Sequence, residues 1–173
     1  MMMLFFMGAC SKAEKNVTEQ PDNELLTTVE LKAVNTTDAT DTPSAKWASI
    51  PGGSLDTSRA ILNLKKNASY NVSVMFLDES KTPASDLTGE IRARGNYHLV
   101  CFNVSGGLTL AVSPTDHDSN SPALPIGLSD LLTTGAASAG RLEVILHHQP
   151  NVKTGDCAPG SIDADVNFTV NIN

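Results

Sequence analysis

Apolar residues recur at every second position along most of this chain, and helical spacing is confined to one short stretch. Thr27 to Val34 alternates, with Val29, Leu31 and Ala33 on one side. Ala60 to Leu64 is a short segment of the same kind. Tyr70 to Leu77 sets Tyr70, Val72, Val74 and Phe76 on one face, the period-two signature of a half-buried strand. Tyr97 to Val104 and Leu108 to Val112 follow, with Ser105-Gly106-Gly107 between them reading as a hairpin turn. Arg141 to His148 alternates again. Ile162 to Ile172 is the cleanest case, with Ile162, Ala164, Val166, Phe168, Val170 and Ile172 on one face and mostly Asp and Asn on the other.

The helical stretch is Pro83 to Ala93. Asp86 is its N-cap, and Leu87 and Ile91 stand four apart on one face. About seven to nine short strands with one short helix predict an all-β chain, an antiparallel β-sandwich of the immunoglobulin-like kind. A closed barrel is the alternative.

Outside this domain, residues 24–173, the pattern changes. Met1 to Met7 is an unbroken apolar run, followed by Gly8-Ala9 and Cys10. The run is too short to span a bilayer, which takes roughly 20 residues. It fits the apolar part of a secretory signal, and small residues directly before a cysteine are the bacterial lipoprotein pattern. Residues 1–9 therefore read as a lipoprotein signal peptide, truncated at its start because the usual positive charges are missing. Cys10 reads as the acylated first residue of the mature chain, and 10–23 as a polar tether from the lipid to the domain.

The formal net charge is −7, and residues 1–9 contribute none of it. This balance argues against nucleic acid, whose phosphates need a basic surface. It also argues against adsorption to anionic lipid through protein charge, so the membrane contact expected here is the lipid on Cys10. With Cys10 set aside, Cys101 and Cys157 remain. In an oxidising compartment they would form a disulfide pinning the 149–161 loop to a strand; the alternative is two separate thiols.

Catalytic patterns are absent: no G-x-S-x-G elbow, H-E-x-x-H helix or C-x-x-C pair occurs. Gly135 to Gly140 has phosphate-loop glycine spacing but lacks the following Lys and Ser or Thr, and leads into a strand; it reads as a flexible loop. The chain therefore reads as a non-enzyme. Asp116-His117-Asp118-Ser119-Asn120 resembles the first half of a calcium loop. Ser121 then stands where the sharp-turn glycine belongs, and a plain polar turn is the competing reading. His98 shares a face with Val100, Phe102 and Val104, and His148 with Leu142, Val144 and Leu146. Should their strands be neighbours, the two rings would meet at a rim and, with His147 or His117, could ligate a divalent metal or haem iron. The competing reading is two half-buried histidines bonded to local carbonyls. Low aromatic content argues against carbohydrate; Trp47, beside Pro43 and Pro51, is a possible platform or, as the simpler reading, packing.

The ordered motifs Leu64 to Tyr70, Phe76 to Ser80, Pro83 to Ile91, His98, Pro125 to Leu128, Thr133 to Ala137 and His148-Gln149-Pro150-Asn151 resemble a group of small lipoproteins from Bacteroidota. Cys10-Ser11-Lys12 is similar to that group's start. The group is often labelled as having a type 1 periplasmic-binding fold, and its members are thought to sit near TonB-dependent outer-membrane receptors. The resemblance implies a lipid-anchored outer-membrane protein that assists nutrient or metal capture. Many members are acidic just before His98, where this chain has Arg92, Arg94 and Gly95, a departure that bears on any metal role. The function expected is a binding module for a metal ion or small ligand, accessory to such a receptor. An immunoglobulin-like protein-interaction module without a small ligand is the other expectation.

Overall fold

Period-two patterning becomes strands whose apolar residues turn to one common interior. The computed structural model describes residues 25–49 and 52–173; the signal 1–9, Cys10 and the tether to residue 23 lie outside the described residues. The strands are β1 (Thr28–Asn35), β2 (Ser44–Ser49), β3 (Leu55–Asp56), β4 (Ile61–Leu64), β5 (Ser69–Asp78) and β6 (Ser85–Asp86), then helix α1 (Thr88–Ala93). A 3-10 turn, Gly95–Tyr97, leads on to β7 (His98–Ser105), β8 (Leu110–Pro114), β9 (Ser129–Thr134), β10 (Ser138–His148) and β11 (Ser161–Ile172). One sheet has seven strands in the order β3-β2-β1-β5-β9-β8, with β6 added on β5; the other has four in the order β4-β11-β10-β7.

Both sheets contribute to a single buried cluster. Leu31, Tyr70 and Phe76 enter it from the first sheet, and Leu62, Leu142 and Phe168 from the second. Burying each of the two phenylalanines stabilises the fold by roughly 1.5–3 kcal/mol relative to exposure. A one-residue slip of β5 or β11 would turn its whole apolar set to solvent, which is why the register is held. Among the described residues no helix is long and apolar enough to cross a membrane.

Four features depart from the pattern-based expectation. The described strands number eleven, more than seven to nine, because β2, β3, β6 and β9 carry little strand signal of their own. The longer two follow their neighbours: β2 is set by β1 through Val29↔Trp47 and Leu31↔Ala45, and β9 by β5 through Tyr70↔Leu132. Trp47 therefore lies in a strand, packed against the core, and is not a free platform.

The second departure is that pairing is not wholly antiparallel. β4 runs parallel to β11, with Leu62 opposite Val170. The chain crosses from the first sheet to the second within Thr57–Ala60, so the direction of β4 comes from that crossing and not from a turn within a sheet.

Third, Ser105-Gly106-Gly107 is no hairpin, since β7 and β8 belong to different sheets. Gly106 and Gly107, at φ of +75° and +81°, turn the chain across instead, and a side chain on Gly106 would press on the Gly140 backbone.

Fourth, the helix is shorter than 83–93. Ser85 and Asp86 pair with Asp78 and Leu77, and α1 starts at Thr88. The N-cap is Leu87 and not Asp86, which ends β6 with its carboxylate accepting the Thr88 amide at 2.9 Å. Leu87 and Ile91 are both buried, as their spacing predicts. Residues 138–140 of the expected glycine loop are the first residues of β10.

Candidate functional site

His98 opens β7 and His148 closes β10, and the register sets them directly opposite each other. Their rings stack with centroids 5.0 Å apart and planes 17° apart. His98 Nδ1 lies 3.1 Å from the Arg94 carbonyl, which can only accept, so that nitrogen carries the proton. Burial pushes the His98 imidazole down, favouring the neutral ring. Its Nε2 stands 4.0 Å from an Asp163 oxygen.

Proximity alone does not make a metal site. An ion shared by two imidazoles lies in both ring planes, about 2.0–2.1 Å from each nitrogen for zinc. The planes of a stack only 17° from parallel do not meet near the rings, so the lone pairs do not converge. Among the described residues no group of three or more His, Cys, Asp or Glu could hold a metal ion. The strands bring His98 and His148 together, as their shared faces predict, and the rings meet as a stack. His147, the preceding residue of β10, alternates to the opposite face and is buried, its Nδ1 without a hydrogen bond among the described residues.

The Asp116-His117-Asp118 loop is also committed internally. Asp116 accepts the Gly127 amide at 2.8 Å and the Leu128 amide at 3.2 Å, and faces the Arg92 guanidinium at 3.2 Å. Asp118 accepts the amides of Asn120 and Leu124 on one oxygen. Its other oxygen accepts Lys153 Nζ at 2.8 Å and the Asn120 side-chain amide at 2.9 Å. His117 is exposed, its backbone bridging to Pro125. The carboxylates of the calcium-like spacing thus serve the loop's own amides, Arg92 and Lys153.

Lys153 and Asp118 form an ion pair whose side chains are 1% and 0% exposed. Burial pushes the Asp118 carboxyl up, but the Leu124 amide and the Lys153 ammonium outweigh it and hold the group below its usual range. Lys153 also donates to the Gly95 carbonyl at 2.8 Å, tying together the Gly95–Tyr97 turn, the Asp118 loop and the segment after β10. Asn96 adds a second tie, its carbonyl oxygen accepting the amide and hydroxyl of Ser119.

The segment after β10 is held from its other side. Cys101 and Cys157 form a disulfide with Cα atoms 6.1 Å apart. Gln149, fully buried, donates from its amide to the Asp156 and Pro159 carbonyls at 2.9 Å each. At Gly160, φ is +88° and a side chain would collide with the His148 carbonyl.

These three segments surround a hollow of about 580 Å³. Asn96 and Tyr97 line it from the 3-10 turn, and Asn120, Ser121, Pro122 and Leu124 from the acidic loop. Asn151, Lys153 and Thr154 complete it. Pattern reading missed all of these. Lys153 alone carries a faint signal, as the one Lys or Arg after Arg141 in a stretch that holds Glu143, Asp156, Asp163 and Asp165. No family model, no curated protein and no solved structure matches this chain.

Proposed function

We propose that this chain is a non-enzymatic binding module of the cell envelope, anchored at the outer membrane through a lipid on Cys10, and that it takes a small ligand in the hollow beside Tyr97. The single observation that carries this reading is the stapling of the hollow's walls by a buried ion pair, a disulfide and the Gln149 amide. Walls held before the ligand arrives lower the ordering cost of binding, and loops on a β scaffold are where binding groups usually lie. We read the two sheets as an immunoglobulin-like sandwich that presents these loops at one end. The likeness to small Bacteroidota lipoproteins supports the lipid anchor and a role beside a TonB-dependent receptor. A metal ion is the less favoured ligand, given the stacked histidines and the committed carboxylates.

A ligand screen by thermal shift tests this on the full chain in detergent, with metal ions, amino acids, sugars, nucleotides and short peptides as probes. One class should raise the melting temperature of the parent and fail to do so in Thr154→Trp, which fills the hollow. No such class would sink the small-ligand reading.

The second reading is a protein-docking module with no small ligand. Tyr97 and Val152, at 38% and 47% exposure on the same loops, favour it. Pull-down from outer membranes with the intact chain and with a variant deleted in 150–156 separates the two. Capture of a receptor only by the intact chain, without any ligand shift, would select docking.

A further inference from the structure

We infer that the hollow takes a neutral, polyhydroxylated ligand, with the Tyr97 ring under the ligand's C–H face, a single local ring that sets aside the argument against sugars from the chain's low aromatic content; this rests on the reading of the hollow as the binding site. Charge comes first. Among the described residues, Lys153 is the only ionised one lining the hollow, and Asp118 already neutralises it at 2.8 Å. Every other lining residue is uncharged, so a charged ligand would shed water and find no counter-charge.

The uncommitted hydrogen-bonding groups point the same way. Asn96 uses its carbonyl oxygen on Ser119, and its amide nitrogen has no partner among the described residues. Asn120 uses its amide nitrogen on Asp118, which leaves its carbonyl oxygen open. The Asn151 side chain and the Ser121 hydroxyl have no partner among the described residues, whereas the Lys153 ammonium is buried and committed to Gly95 and Asp118. The open groups are thus a mixture of donors and acceptors around one space. A hydroxyl both donates and accepts, so adjacent hydroxyls on a ring can meet both kinds. Tyr97, with Pro122 and Leu124 beside it, supplies the apolar surface against which the C–H side of such a ring packs. The volume, about 580 Å³, lies within the roughly 300–1,000 Å³ typical of small-molecule sites.

The test is a titration of the ¹⁵N-labelled full chain in detergent, following the side-chain amides of Asn96, Asn120 and Asn151. The probes are galactose, N-acetylglucosamine and cellobiose as neutral sugars, glucosamine and glucuronate as charged ones, and an end-capped Gly-Ser hexapeptide. At least one neutral sugar should give saturable shifts at these amides, bind more tightly than either charged sugar, and lose the shifts in Thr154→Trp. Tyr97→Ala should weaken it about three- to tenfold, and Tyr97→Phe should restore most of the affinity. The Tyr97 carbonyl, which accepts the Gln149 backbone N–H, is untouched by either change, so the loop keeps that tie. Saturation at the hollow by only the peptide, only a charged sugar or another class from the thermal-shift screen overturns the sugar assignment while leaving the hollow as the site. Shifts mapping elsewhere overturn the assignment as well. Silence from every probe in both experiments overturns the assignment and the small-ligand reading together.

Discussion

Asp130 turns to the same buried face of β9 as Leu132 and Thr134, and neither of its carboxylate oxygens has a hydrogen-bonding partner among the described residues. Burial, with a smaller contribution from the charge of Asp116, pushes its carboxyl up to about 8. An unfolded aspartate titrates near 3.9. The folded group therefore contributes stability that is complete below about pH 4 and is lost as pH rises through 8. Asp130→Asn should remove this dependence. Relative to the variant, the parent should lose on the order of 1 kcal/mol per pH unit between about pH 4 and 8, read from urea midpoints. A difference that stays flat across this range would refute the buried, partnerless acid. Asp118 behaves oppositely. Its carboxyl is held below the usual range, so its contribution is present at neutral pH and is lost only as pH falls through the folded value. Removing its partner leaves a carboxylate buried without a cation. Lys153→Met is expected to cost about 3–5 kcal/mol in chemical denaturation at neutral pH. A cost under about 1 kcal/mol would mean that the pair is exposed to water.

At the scale of elements, the segment between β10 and β11 gains its order from ties outside itself. It has no strand or helix of its own, and it is held by the Cys101–Cys157 bond, the Gln149 amide and Lys153. The disulfide closes 56 residues of sequence, which in the chain-entropy account is worth about 4 kcal/mol through the unfolded state. Cys101→Ala with Cys157→Ala should lower stability by roughly 2–4 kcal/mol and speed amide exchange across 149–160 more than in β5. Uniform acceleration over the whole chain would instead make the bond a global brace with no special bearing on the hollow. The 3-10 turn shows the same dependence on neighbours. It places Tyr97 at the rim because α1, fastened to the core by Leu87 and Ile91, fixes where the turn begins.

For the whole molecule, one buried cluster shared by two sheets predicts one cooperative transition. Trp47 fluorescence reports the first sheet and far-UV circular dichroism reports both, so their urea transitions should coincide. Two separated midpoints would show that the sheets hold separate cores. Much of the fold was legible before any coordinates. The alternation in Tyr70 to Leu77 and Ile162 to Ile172 identified strands and, from Val166 onward in the second, the side that is buried; Ile162, assigned to that same side, is exposed at the strand's start. Less of the site was legible. His98 and His148 are opposite one another, but nothing in their positions foretold stacked planes, and the Asp116 to Asn120 spacing looked like a cation loop when its acceptors serve backbone amides and Lys153. Weak strands such as Ser44–Ser49 were invisible because their residues take strand form from a neighbour. What the sequence by itself determined is which stretches are strands and which of their faces turn inward, because both follow from a local period of two. Only the tertiary structure decided that β4 joins β11 in parallel, that Gly106-Gly107 crosses between sheets, and that Lys153 meets an aspartate 35 residues away. The physical reason is that strand pairing and ion pairing join residues distant along the chain, and no local pattern names the partner.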